Sequence, residues 1–504
     1  MTFTHPPTRA CLLVLLTLGP SVICGQNLAG QNLAEKSHQA KELMEAGQFA
    51  QAALLYRELV RAVPNNPGLM TNLAMALDMS GDKTAAVREY QASLQLDPDQ
   101  FPALLLLGSA YLDLGQPPRA VDALERAVKI QPENFDAQET LTEAFLALGR
   151  LGEAAKRFQT LSEADPKNSR VWYGLGTSYE GLAQRNFDAL AKVAPGSAYW
   201  LVLVAESRLQ NKQDYSAFYF YHQALAKMPG MRGVHEALAA VYKDAGHADW
   251  AAVEERKERA LPAPDCSVDP LECDFQAGKL REIADFPGDS AQAYYWRTRA
   301  YNRLAMDAYA RLGELPPSRE AHELKAKIAS ARRQYAEAAQ EWREALQFSP
   351  GDTSIEKQLA VALYKSGDSA GAQAIFERLL KEQPDAPDLS FYLGDTLLSA
   401  QHPQAALPYL EKAVLRDPDL LPAQRAIGLA YLQTGQTAKA IPHLKAALPA
   451  DDDGSLRYQL SRAYQMAGEK ELAAAMLREY QAKQQAQQGE NAAVEKEVAL
   501  TPPE

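Results

Sequence analysis

Between residues 101 and 134, apolar and small side chains fall at Leu107, Gly108 and Tyr111, then at Ala120, Leu124 and Ala127. Within each set the steps are one, three or four residues, so each set lines one face of a helix. Gly115 stands between the sets, where a glycine ends a first helix. Pro132 ends the second helix and opens the next unit. The pattern predicts two helices joined by a short turn. Gly108 lies inside the first helix, where glycine costs about 1 kcal/mol relative to alanine. Close approach of the two helices at Gly108 and Ala120 offsets that cost, because a larger side chain would hold the backbones apart.

The same spacing returns every 34 residues. Pro64, Pro98, Pro132 and Pro166 mark it, and Pro350, Pro384 and Pro418 mark it again. The stretch 67–100 repeats the pattern as Leu73, Ala74, Leu77, Gly81, Ala86, Tyr90 and Ser93. The stretch 353–386 does so as Leu359, Ala360, Leu363, Gly367, Ala372, Phe376 and Leu379, and 387–420 as Leu393, Gly394, Leu397, Gln401, Ala406, Leu410 and Ala413. Length and pattern together resemble the tetratricopeptide repeat. The resemblance runs from about residue 33 to 487. It implies an all-α solenoid, a superhelix of about thirteen stacked helix–turn–helix repeats.

Two places break the period. The unit beginning at Ser169 reaches its closing proline early, at Pro195, and "EGLAQRNFDALAKVAP" has no turn signal. Its two helices either fuse or share a shortened hairpin. "NRLAMDAYARLGELPP" matches that segment at a distance of 122 residues, pairing Leu182 with Leu304, Ala183 with Ala305, Phe187 with Tyr309 and Leu190 with Leu312. Either an internal duplication or two separate deletions at a tolerant turn produces this. Between the two breaks lies a stretch rich in Pro, Asp and Cys. The expected organisation is a signal peptide at 1–25, an N-terminal array at 26–265, an insertion at 266–288, a C-terminal array at 289–487 and a polar tail at 488–504.

Composition narrows the function. The chain has 504 residues, 47% of them hydrophobic and 23% charged, with a net charge of −12. That sign argues against nucleic acid as a partner. Arg9, the apolar run "CLLVLLTLG" and the small residues after it read as a leader for export to a bacterial periplasm or cell surface. The bulky Ile23 ahead of Cys24 argues against a lipid anchor there. No later stretch is apolar enough to span a bilayer. Beyond the leader only Cys266 and Cys273 remain, an even pair expected to form a disulfide.

The repeats absorb the chain and leave no room for a catalytic domain. There is no phosphate loop, "HExxH", nucleophile elbow or dinucleotide fingerprint. No catalytic residue, cofactor site or metal site is expected, and the two cysteines lack further zinc ligands. Binding is the remaining route. In the family that the pattern resembles, positions 2, 5, 9 and 12 of each first helix line a concave groove. A known carboxylate clamp of that family is not reproduced: Ser37, Lys41 and Asn72 stand where Lys, Asn and Asn are needed, and Pro102 and Leu106 stand in place of cations. The middle units offer Glu139, Glu143, Tyr173, Glu180, Tyr199 and Glu206, a lining suited to a segment with Lys or Arg beside apolar residues. Later units offer Lys357, Tyr364, Phe391, Arg425, Tyr458 and Arg462. The expected function is a non-enzymatic scaffold that holds a protein or extended peptide in this groove. The alternative is a structural element of an envelope or secretion assembly that uses its convex face and ends.

Overall fold

The computed structural model describes residues 28–498 and 500–503. The leader segment 1–25 lies outside the described residues, as do the side chains of 28–31 and 487–498. The described residues form 26 α-helices, one short 3-10 turn and no strand. The fold is an all-α solenoid.

One hairpin shows how the sequence builds the rest. Phe101–Asp113 and Pro117–Ile130 are its two helices. Pro102 and Pro117 occupy first-turn positions, where a missing N–H breaks no helical bond. Gly115 takes φ 66°, and the Gln116 N–H donates back to the Tyr111 carbonyl at 2.8 Å, closing the first helix. A β-carbon on Gly108 would collide with the Leu124 side chain. Gly394 stands in the same relation to Leu410, and Gly428 to Leu444. The glycine cost in the first helix is thus exchanged for a close crossing with a leucine sixteen residues on. The left-handed turn is kept even without glycine. Lys212, Arg333 and Gln401 occupy it at φ 58°, 60° and 63°, at a cost of roughly 1 kcal/mol each.

The chain forms two compact units. The first runs to Arg185 and adds Thr298–Leu315; the second holds Asn186–Arg297 and everything after Leu315. The first unit begins with four hairpins: Leu28–Glu45 with Phe49–Ala62, Pro67–Met79 with Lys83–Leu96, Phe101–Asp113 with Pro117–Ile130, and Phe135–Ala147 with Leu151–Ala164. Their facing sides supply one continuous core that includes Tyr56, Leu73, Tyr90, Leu124, Phe145 and Phe158.

The first unit is completed from a distant part of the chain. Ser169–Val193 is a single helix of 25 residues, and Ala291–Glu314 is a single helix of 24. Both period breaks are therefore fused helices. In an ordinary hairpin Gly176 would receive the side chain sixteen residues on, which is Lys192. It receives Tyr309 instead, whose ring fills the space a β-carbon on Gly176 would need. The Tyr309 hydroxyl donates to Glu180 at 2.9 Å. Ala305 and Ala308 join the core beside Leu175 and Tyr179. Ala305, Tyr309, Leu312 and Pro317 carry the spacing of Ala120, Leu124, Ala127 and Pro132. The second long helix thus supplies the second helix of a repeat whose first helix lies more than 120 residues earlier. Tyr179 and Tyr301, which are equivalent positions 122 residues apart, face each other with ring centroids 6.1 Å apart.

The second unit contains the hairpins Ala198–Gln210 with Asp214–Lys227 and Val234–Asp244 with Ala248–Ala260. The Cys-bearing stretch folds as two short helices, Pro270–Gln276 and Leu280–Ala284. The sulfurs of Cys266 and Cys273 are at bonding distance, 2.10 Å. Phe275 packs on Trp296 at 5.2 Å. Five hairpins complete the unit: Arg319–Ala331 with Tyr335–Phe348, Thr353–Ser366 with Ser369–Glu382, Pro387–Ser399 with Pro403–Arg416, Leu421–Gln433 with Thr437–Ala447, and Ser455–Met466 with Lys470–Val498. They share a core through Trp342, Phe376, Leu410, Leu444 and Tyr464.

Because Tyr309 replaces a missing hairpin partner, Tyr309→Ala should destabilise the first unit by roughly 3–5 kcal/mol. Hydrogen exchange should quicken first in Ser169–Arg185 and Phe135–Ala164. Unchanged exchange there would show that the two long helices do not depend on each other.

Candidate peptide-binding face

First helices of successive hairpins touch along one side, as Phe101–Asp113 does with Phe135–Ala147 and Pro387–Ser399 with Leu421–Gln433. Positions 2, 5, 9 and 12 of the repeat meet there. Side chains at these positions also bond from one repeat to the next, and those bonds decide what is left for a ligand.

In the first unit the acids are taken up internally. Glu139 is buried, 3% exposed, and accepts from Arg170 at 2.9 Å. Glu143 accepts from the same guanidinium three times, at 2.7, 2.8 and 3.1 Å. Arg170 stands at position 2 of the following repeat, so a single cation holds both carboxylates. Glu180 is engaged by Tyr309, and Tyr173 is half-buried. Arg170 is the residue that a reading restricted to acids and aromatics passes over. Its signal is legible: it lies one period, less three residues, after Glu139.

In the second unit Tyr199 is half-buried against Tyr295, 4.9 Å between centroids, and Glu206 is half-buried. Burial, then the nearby Asp269 and Glu272, push the Tyr199 phenol above its ordinary value. Farther along, Lys357 pairs with Asp388, and the Tyr364 hydroxyl donates to Asp395. Both bonds run from one first helix to the next. Burial, then this bond to Asp395, hold the Tyr364 phenol well above its ordinary range. Phe391 leans on Tyr392 at 5.0 Å. Arg425, Tyr458 and Arg462 are exposed, Tyr458 by 42%. Tyr458 also sits beside Tyr480 at 5.4 Å. Arg425 lies near Asp395 and Asp453 without an ion pair to either. The first unit's acids are therefore cross-linked to their neighbours, whereas this stretch leaves two guanidinium groups and a phenol ring facing solvent.

Among the described residues no three of His, Cys, Asp and Glu converge as metal ligands, and no helix is long and apolar enough to cross a membrane. Two tetratricopeptide-repeat family models match the chain, one at residues 111–176 and the other at 38–101, 357–423 and 394–455. The chain carries tetratricopeptide repeats.

No curated protein is similar enough to count as a match. Matching solved structures include a tetratricopeptide repeat protein from Parabacteroides merdae, 16% identical, covering 66% of this chain and all of that one, with a TM-score of 0.33. Yeast Tom70 is 14% identical over 92% of this chain and 96% of its own, with a TM-score of 0.30. The first repeat domain of Spaghetti (RPAP3), solved with an HSP90 peptide, is 24% identical over 25% of this chain and 98% of its own, with a TM-score of 0.23.

Within this tetratricopeptide-repeat framework the Arg170 cluster is electrostatically tense. Burial pushes the Glu139 carboxyl up to about 7; Arg170 opposes the shift, and Glu143 adds to it. The folded state therefore keeps a proton that the unfolded chain, near the ordinary 4.5, has already lost. The stability from this group is full below pH 4.5 and falls as pH rises toward 7, by on the order of 3 kcal/mol in all. Chemical denaturation at pH 5 and pH 8 should show the first unit weaker at pH 8. Glu139→Gln should remove most of that difference. An equal pH dependence in the variant would place its origin elsewhere.

Proposed function

We propose that the protein is a non-enzymatic scaffold that binds an extended polypeptide along the first helices of Thr353–Met466. The observation that carries this is the contrast between the two sets of face positions. Glu139 and Glu143 are held by Arg170, and the exposed Glu180 by Tyr309. Of the later set Lys357 and Tyr364 are bonded to the next repeat, while Arg425, Tyr458 and Arg462 are exposed and the two arginines carry no ion pair among the described residues. The half-buried Phe391 and Tyr364 give this stretch apolar surface beside its cations. A segment with carboxylates next to apolar residues suits it better than the basic segment that the acids alone would favour. Aromatic and Arg side chains carry most of the energy in such contacts, and exposed ion pairs add little apiece.

Export to a bacterial periplasm or cell surface belongs to the same proposal. Its supports are the apolar run at 12–19 in the sequence and the cysteine pair at bonding distance, a pairing that persists in oxidising compartments.

The test is an array of extended peptides in which Asp or Glu, or else Lys or Arg, alternates with apolar residues. Acidic-apolar members should bind. Tyr458→Ala should weaken them about tenfold or more, in line with the loss of an aromatic anchor. Arg425→Ala with Arg462→Ala should slow association and flatten its salt dependence. Glu143→Gln should leave binding unchanged. Preference for basic members, or equal binding by all variants, contradicts the assignment.

A further inference from the structure

In the hairpin Val234–Asp244 with Ala248–Ala260 there is a contact that the repeat does not require. The Tyr242 hydroxyl donates to the Thr501 carbonyl at 2.6 Å, across 259 residues of sequence. Tyr242 is fully buried in Val234–Asp244. Its ring meets Phe218 edge-on at 5.5 Å and Trp250 edge-on at 5.6 Å. His247 stacks on Trp250 at 4.0 Å. The helix Lys470–Val498, which leads to Thr501, touches Asp214–Lys227, the helix that carries Phe218.

The partner segment has its own chemistry. Leu500–Pro503 reads Leu-Thr-Pro-Pro and has no regular secondary structure. Proline fixes φ near the extended range and removes the N–H, and the residue before it is held extended as well. Such a segment offers carbonyls without matching donors and loses little freedom when it docks. Aromatic grooves with a hydroxyl or indole donor are the usual surfaces that recognise it. Here Leu500 and Pro503 are partly buried, Thr501 is exposed at its side chain, and its carbonyl takes the buried hydroxyl.

We propose that the aromatic edge formed by Phe218, Tyr242, His247 and Trp250 is a docking site for an extended, proline-containing segment, and that Leu500–Pro503 fills it in cis. A partner bearing such a segment must displace the internal copy. Tethering raises the local concentration of that copy, so the site answers only a ligand that is abundant or bound elsewhere on the protein as well. This site is separate from the face of Thr353–Met466, and the two assignments stand or fall independently.

The probe is the synthetic peptide VALTPPE, titrated into the full chain and into a full chain carrying Pro502→Gly and Pro503→Gly. Binding is followed calorimetrically. Hydrogen exchange of Val234–Ala260 confirms that the hairpin stays folded. The glycine variant should bind the peptide at least tenfold more tightly than the unaltered chain. Adding Tyr242→Phe should weaken that binding about fivefold or more, and adding Arg462→Ala should not. No binding to the glycine variant, equal binding to both chains, or indifference to Tyr242→Phe would overturn the proposal.

Discussion

The fold depends on a close crossing between two helices at a residue too small to keep them apart. Gly108 under Leu124, Gly394 under Leu410 and Gly428 under Leu444 are the same contact repeated. A first helix with such a cleft on its face is not stable alone, because it leaves apolar surface and a void uncovered. Some second helix has to be supplied. Nothing in the physics requires that helix to come next in the chain.

The two long helices show the consequence. With five residues missing from the turn, Ser169–Val193 has no room to fold back on itself, and it continues straight. Gly176 still needs a large side chain, and Tyr309 provides it from the far side of an excursion of more than 100 residues. The first unit is discontinuous in sequence for this reason. It also brings the Tyr309 hydroxyl to the exposed Glu180, so one of the charges expected to face a ligand is already hydrogen-bonded within the chain.

Much of this was legible in the residues. The 34-residue spacing places the helices, the turns and the core, and the left-handed turn appears at the predicted position even where Gln401 replaces glycine. The likeness between 180–195 and 302–317 was legible too. What it meant was not, because a pattern of Ala305, Tyr309 and Leu312 is the same whether its partner is near or far. The face was legible only in part. Positions 5 and 9 identify Glu139 and Glu143, but their availability depends on Arg170 in the next repeat. A carboxylate counted without its cross-repeat neighbour looks like a free charge. The contact of Tyr242 with Thr501 has no counterpart in the period, and no spacing rule would find it.

Cross-linking reports on the exchange of helix partners. Gly176→Cys combined with Tyr309→Cys should form a disulfide within one chain under mild oxidation, because the two positions are packed together. Gly176→Cys combined with Lys192→Cys, the pair an ordinary hairpin would bring together, should stay reduced. A cross-link between 176 and 192, with none between 176 and 309, would contradict the account.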